Sequence, residues 1–223
     1  MALDILANFQ ALFYFAAFLV GGWFFGLKKA PLYFRLLFCG VVCFLLEELY
    51  YLTDYACTGA WSEEYSFAAF GAGAGYSFML SANYGMFDSI VDDGSADCRR
   101  IGRLALLTPM VLAAVYALAS AYFIKTTGNV GYVILTVLCK APMVLAAYYH
   151  TKHLLLPDRL HFLVEPLRLC NGVCLVLILA DMLSDVFYAV GRLRAYSMCE
   201  TVFSVALVGM MVTAERGRRG WIT

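Results

Sequence analysis

The sequence predicts an all-α integral membrane protein of seven transmembrane helices, with its N-terminus outside and its C-terminus in the cytoplasm. Three observations carry this reading. The 223 residues are 63% hydrophobic and 14% charged, with a mean hydropathy of +0.77, whereas a soluble domain is about half apolar and about a quarter charged. The apolar residues gather in long runs bounded by charge, the pattern of membrane spans. The basic residues cluster at one end of those runs.

Seven runs are long enough to span: roughly 5–26, 32–53, 65–87, 102–124, 129–150, 163–190 and 195–214. At about 1.5 Å per residue each can cross a hydrocarbon core of about 30 Å. The sixth is the longest and must tilt or protrude. None shows sustained polar/apolar alternation, so strands are not expected. The first run is read as a retained helix. "MALDILANFQ" has no basic n-region, and Lys28 and Lys29 follow the run where a cleavage site would need small residues.

Twelve lysines and arginines, from Lys28 and Lys29 through Arg99, Arg100, Lys152 and Arg159 to Arg219, fall on one side of these spans. Three, Lys125, Arg192 and Arg194, fall on the other, and Lys140 lies within a helix. The bias sets the orientation and points to a multi-pass protein of the cell (plasma) membrane, with the lipid bilayer as its first partner. "DYACTGAWSEE", from Asp54, is then an external acidic loop, and "ERGRRGWIT" a short basic tail. Sixteen basic residues balance sixteen acidic ones, so nucleic acid is not an expected partner.

Sliding the chain against itself by 131 residues brings out an internal repeat. Leu36, Cys39, Val42, Cys43, Leu46, Leu52 and Asp54 meet Leu167, Cys170, Val173, Cys174, Leu177, Leu183 and Asp185. Tyr65, Ser66 and Met79 meet Tyr196, Ser197 and Met210. These are ten identities in 44 ungapped positions, where typical residue frequencies give roughly three. Helices 2 and 3 thus fall on helices 6 and 7, four places on and therefore running the same way. The expected plan is one membrane domain, 1–223, built as a parallel 3+1+3 repeat. Repeat one covers about 1–90, a linker helix about 100–125, and repeat two about 128–215. Transporters of this plan bind their substrates at the repeat interface.

In helix count and repeat the plan resembles the SWEET sugar facilitators and the PQ-loop proteins, and more distantly the seven-helix opsins. The Pro-Gln pair of the PQ-loop proteins occurs nowhere in the chain, and no family membership is read. Retinal binding is not expected, because helix 7 lacks the lysine that opsins carry there.

Helix 2 carries a stripe of Cys39, Cys43, Glu47, Tyr50/Tyr51 and Asp54 on one face, and helix 6 carries Cys170, Cys174, Asp181, Asp185 and Tyr188. The cysteines are expected in the inner half of the membrane and the carboxylates in the outer half. Charge facing lipid is costly, so Glu47 and Asp181 should face the bundle or a vestibule. The tyrosines and the two outermost aspartates also suit an interfacial belt. Glu200 on helix 7 joins the outer group. Lys140 on helix 5, two residues before Pro142, needs an acid, with Glu47, Asp181 and Glu200 as candidates. The expected binding residues are therefore Glu47, Tyr51, Lys140, Asp181, Asp185 and Glu200. Such an acidic, tyrosine-rich outward pocket suits a small cationic or polar solute.

The repeated thiols Cys39, Cys43, Cys170 and Cys174 would form a soft-metal site if the two stripes met, although buried cysteine is more often apolar filler. "FGAGAG", Phe70 to Gly75, allows close helix packing. His150 and His153 are read as a solvated cytoplasmic end of helix 5. No nucleophilic triad, intramembrane zinc set or phosphate loop is visible, so no enzyme and no cofactor are expected. The favoured reading is a carrier for a small cationic or polar solute. The alternative is a receptor or sensor that binds an external ligand and signals through a separate cytoplasmic partner.

Overall fold

A computed structural model describes residues 2–27, 29–59, 68–156 and 161–222, with side chains at 9–27, 29–59, 68–156 and 167–220. Lys28, Arg159, Tyr65, Ser66, residues 60–64 of the acidic loop and the side chain of His161 lie outside the described residues. All described regular elements are helices. In chain order, α1 (Ala2–Gly21) runs on through a π-helical turn, Gly22–Gly26, and α2 is Leu32–Thr58. α3 (Ala69–Ser81) is prolonged by a π-helical stretch, Ala82–Asp88, and by Ser89–Val91. α4 comprises Ala96–Ala105 and Leu107–Thr127, interrupted at Leu106. α5 is Val130–Leu155, α6 His161–Ala189 and α7 Leu193–Ile222. Five of them, α1, α4, α5, α6 and α7, are long and apolar enough to cross a membrane.

The helix ends follow from local chemistry. Ser95 caps α4 by accepting from the Cys98 N–H at 3.2 Å, and Asn129 caps α5 by accepting from the Tyr132 N–H at 3.0 Å. Gly128 ends α4 in the left-handed conformation, φ 74°, where a side chain would be strained.

The helices pack as a ring in the order α1, α2, α3, α5, α6, α7, closing from α7 back onto α1. α4 stands outside the ring against α5 and α6. Aromatic edges knit the interior. Phe44 of α2 meets Tyr76 of α3 at 5.1 Å and Phe203 of α7 at 5.3 Å, and Tyr14 of α1 meets Phe203 at 6.0 Å. Outward, large apolar side chains are bare. Leu19 is 66%, Met110 65% and Leu118 73% exposed, an apolar exterior suited to lipid contact.

The glycine run places α3 between two neighbours. A Cβ on Gly75 would lie 2.7 Å from the Phe44 ring, and one on Gly73 would lie 3.2 Å from the Cys139 backbone. α2 thus approaches one face of α3 and α5 the other.

The helices exceed the apolar runs in two places that matter. α7 continues through the expected tail, because buried Glu215 binds Arg218 at 2.6 Å and Arg219 at 3.0 Å on its own face. α5 continues to Leu155 and carries its polar end inside. His150 and His153 are fully buried, which corrects their reading as a solvated end. Lys152, counted among the basic residues of one side, is 3% exposed.

Candidate functional site

Two buried polar clusters sit at different levels of the same three helices, α3, α5 and α6. In the first, the Lys140 ammonium of α5 donates to both carboxylate oxygens of Asp181, each at 2.6 Å. It also lies 3.3 Å from Asp185 Oδ2. Asp181 and Asp185 are one turn apart on α6, so both carboxylates reach one cation. The Tyr76 hydroxyl of α3 donates to Asp181 Oδ2 at 2.7 Å, and the Tyr116 hydroxyl of α4 donates to Asp185 Oδ2 at 2.6 Å. The ammonium stands 6.0 Å from the centre of the Tyr76 ring, within cation–π range. The result is an ammonium clamp of two carboxylates, held by two phenols and filled by the chain's own lysine.

A cavity of about 30 Å³ opens beside Asp185, between α4, α5 and α6. Tyr116, Ser120, Tyr132, Thr136 and Tyr188 line it with Asp185, and it holds about one water. Tilted ring pairs frame it, Phe123 with Tyr132 at 5.2 Å and Tyr188 with Tyr196 at 5.8 Å.

Of the six residues expected to bind, Lys140, Asp181 and Asp185 come together. Glu47 is half-buried on α2 and packs its stem against α3, where a Cβ on Gly71 would meet Glu47 Cβ at 2.7 Å. Glu200 on α7 lies beside Ser184. Neither Glu47 nor Glu200 makes an ion pair with a described residue. The Tyr51 ring packs edge-on to Tyr50 at 6.4 Å. The partners of Lys140 are thus Asp181, one of the three acids considered, and Asp185, which was not among them. A one-turn spacing on α6 was the available signal. Tyr76 and Tyr116 gave none, since only the tertiary fold aims their hydroxyls at α6.

The repeat-related residues are not equivalent. Asp185 belongs to the clamp, whereas Asp54 makes no ion pair with a described residue. Among the described residues, no three of Cys39, Cys43, Cys170 and Cys174 group within reach of one ion. Cys170 and Cys174 are fully buried and Cys39 and Cys43 only partly; α2 and α6 face different neighbours in the ring.

The second cluster was not assembled from the sequence, because its residues straddle the end of a span and a loop. Lys152 Nζ donates to Asp88 Oδ1 at 2.7 Å and to Asp92 Oδ2 at 2.6 Å. His153 Nε2 lies 3.1 Å from Asp88 Oδ1, and its Nδ1 lies 3.2 Å from Asn83 Oδ1. Asn83 Nδ2 donates to the Met79 carbonyl at 2.9 Å and faces His150 Nε2 at 3.3 Å. His150 Nδ1 in turn lies 2.8 Å from Asn171 Oδ1 of α6. On the loop, the Lys152 ammonium and the Gly94 N–H, 2.9 Å from Oδ1, hold Asp92 below the usual carboxylate range.

The neighbouring group Asp92, Asp93 and Cys98 is the one described set at metal-ligand spacing. Its carboxylates are engaged by Lys152 and by the N–H groups of Gly94 and Ser95. Comparison with protein-family models, curated proteins and solved structures gives no match to this chain.

Proposed function

We propose that the chain is a small multi-pass carrier of the plasma membrane for a small organic cation, with the Asp181–Asp185 clamp as its binding site. One observation carries the reading: two carboxylates and two phenols converge on an ammonium that the chain itself supplies. A site built for an ammonium accepts another cation when Lys140 swings away, and the cavity beside Asp185 gives a first foothold. The ring order supports the expected plan. α1–α2–α3 and α5–α6–α7 follow each other in the same sense with α4 outside, as a parallel 3+1+3 repeat of seven crossing helices would. In this plan α2 and α3 cross with the other five, and the clamp faces the exterior.

A second reading is a sensor, in which the clamp binds an external cation and the cytoplasmic end signals to a partner. The helical continuation of α7, with Arg216 and Arg219 exposed, supplies a rigid basic surface for it.

The test uses purified protein in liposomes with labelled guanidinium and 1,4-diaminobutane, which stay charged and do not cross lipid unaided. The carrier takes up one of them saturably, and Asp185→Asn abolishes the uptake. Binding without uptake, seen as a thermal shift lost in Asp185→Asn, selects the sensor. Neither binding nor uptake of either cation overturns both readings.

A further inference from the structure

We propose that His153 and Asp88 form a second binding site, at the other end of the bundle from Lys140, whose ligand is a proton.

The argument is a donor and acceptor count anchored on one backbone carbonyl. The Met79 carbonyl can only accept, so the Asn83 group 2.9 Å from it is the amide nitrogen. That fixes Asn83 Oδ1 toward His153, and His153 Nδ1 must carry a hydrogen to bond it. It also fixes the second amide hydrogen toward His150 Nε2, which must therefore be the unprotonated nitrogen. His150 then carries its hydrogen on Nδ1 and donates to Asn171 Oδ1, so His150 is a neutral relay. At the far end, His153 Nε2 faces a carboxylate oxygen, and this contact needs a hydrogen as well. The His153–Asp88 pair thus holds one proton beyond neutral imidazole and carboxylate. The proton resides on Nε2, because Asp88 Oδ1 already accepts from the Lys152 ammonium.

Charge balance agrees. Lys152 and protonated His153 offset Asp88 and Asp92, and the Asp88 carboxylate against Nε2 offsets the cost of charging the buried imidazole. The other groups around His153 do not alter the count. Tyr149 of the same helix packs on it at 6.2 Å with Tyr84 of α3 beyond, and Tyr33 of α2 stands behind Phe87. Arg168 of α6 donates to the Leu156 carbonyl, and Arg99 of α4 to the Gly94 carbonyl.

The cluster reaches solvent at one end only. Asp92 lies in the loop between α3 and α4 and is the solvent end. The hydrogen-bonded chain runs inward through Asn83 and His150 to Asn171, whose fully buried Nδ2 has no partner among the described residues. Asn171 and Asp181 are ten residues apart on α6, about 15 Å. Met79, Met143, Cys174, Leu177 and Ile178, all fully buried, occupy that level of the bundle. A proton and a cation therefore occupy separate sites across an apolar plug. In the carrier proposed above, on which this clause rests, the proton is the coupling ion, released to the inside as the cation moves.

The test is nitrogen NMR of the full chain, labelled with ¹⁵N-histidine, in lipid nanodiscs at pH 7.5. The expected spectrum contains one doubly protonated imidazole. It disappears in His153→Gln and becomes a neutral tautomer in Asp88→Asn, while it persists in His161→Gln. Three neutral histidines in the wild type overturn the site, as does an imidazolium signal that survives His153→Gln. Should the first two variants fail to fold, the wild type and His161→Gln still decide. The coupling clause is read separately, as pH inside dye-loaded liposomes under a guanidinium gradient. Cation uptake with no proton movement refutes the coupling. Absence of uptake counts against the carrier and leaves the proton site to the NMR result.

Discussion

Lys140 and Lys152 stand twelve residues apart on α5, and each ammonium is clamped between two aspartates spaced one turn apart. Lys140 lies on Asp181 and Asp185 of α6, and Lys152 on Asp88 at the end of α3 and Asp92 just beyond it. The separation is about 18 Å along the helix. α5 is thus tied to one neighbour at one level and to another at the second, with Pro142 between the ties.

The first prediction concerns the balance within the Lys140 clamp. Asp181 gives Lys140 two short contacts and Asp185 one long one. Asp181→Asn should therefore destabilise by about 3 kcal/mol, the low end for breaking a buried pair, and Asp185→Asn by about 1 kcal/mol. Lys140→Met combined with Asp181→Leu and Asp185→Asn should recover much of the loss, since the three buried charges are removed together. Reversible unfolding in detergent measures all of these. Equal losses for the two aspartates would contradict the geometry.

Close packing of α2 against α3 gives the second. Gly75→Ala forces a Cβ to within 2.9 Å of the buried Phe44 ring, and the rings of Tyr76 and Phe203 hold Phe44 in place. The expected cost is about 1–3 kcal/mol. Gly85→Ala, with nothing within 4 Å of its Cβ, is the control and should be neutral or slightly stabilising. The comparison is read as the difference in thermal midpoint.

Acid should loosen the Lys152 clamp. Asp92 is held below the usual carboxylate range by Lys152 and Gly94. Its contribution is therefore fully present above the unfolded value of about 3.9 and is lost as pH falls through the lower folded value. Asp92→Asn should lower the thermal midpoint at pH 7, and the difference should shrink as pH falls below about 3.9. Wild-type and variant midpoints that coincide at pH 7 would show that the contact contributes nothing.

Orientation is open to a labelling test. Cys57 is exposed near the end of α2, on the side read as external. A membrane-impermeant maleimide applied to intact cells should modify the wild type, and Cys57→Ser should lose most of the label. Labelling that appears only after the cells are opened would reverse the assigned topology.

By itself the sequence determined that the chain is helical and apolar enough for a membrane, because a lipid span demands a long apolar run and leaves that run visible; it offered seven such runs, and five of the helices carry the length and apolarity to cross. It also singled out Lys140, Asp181 and Asp185, since charge inside such a run is rare. It could not set the partners. Asp185 rather than Glu47 or Glu200 reaches Lys140 because α5 and α6 are neighbours in the ring while α2 stands against α1 and α3, and nothing in residue spacing decides ring order. The His153 cluster stayed unassembled for the related reason that His150, Lys152 and His153 read as a solvated helix end. Only the continuation of α5 to Leu155 and of α3 to Val91 brings Asn83, Asp88, His150 and Lys152 into one buried group. Apolar length is a local property, whereas the pairing of charges belongs to helices distant in sequence.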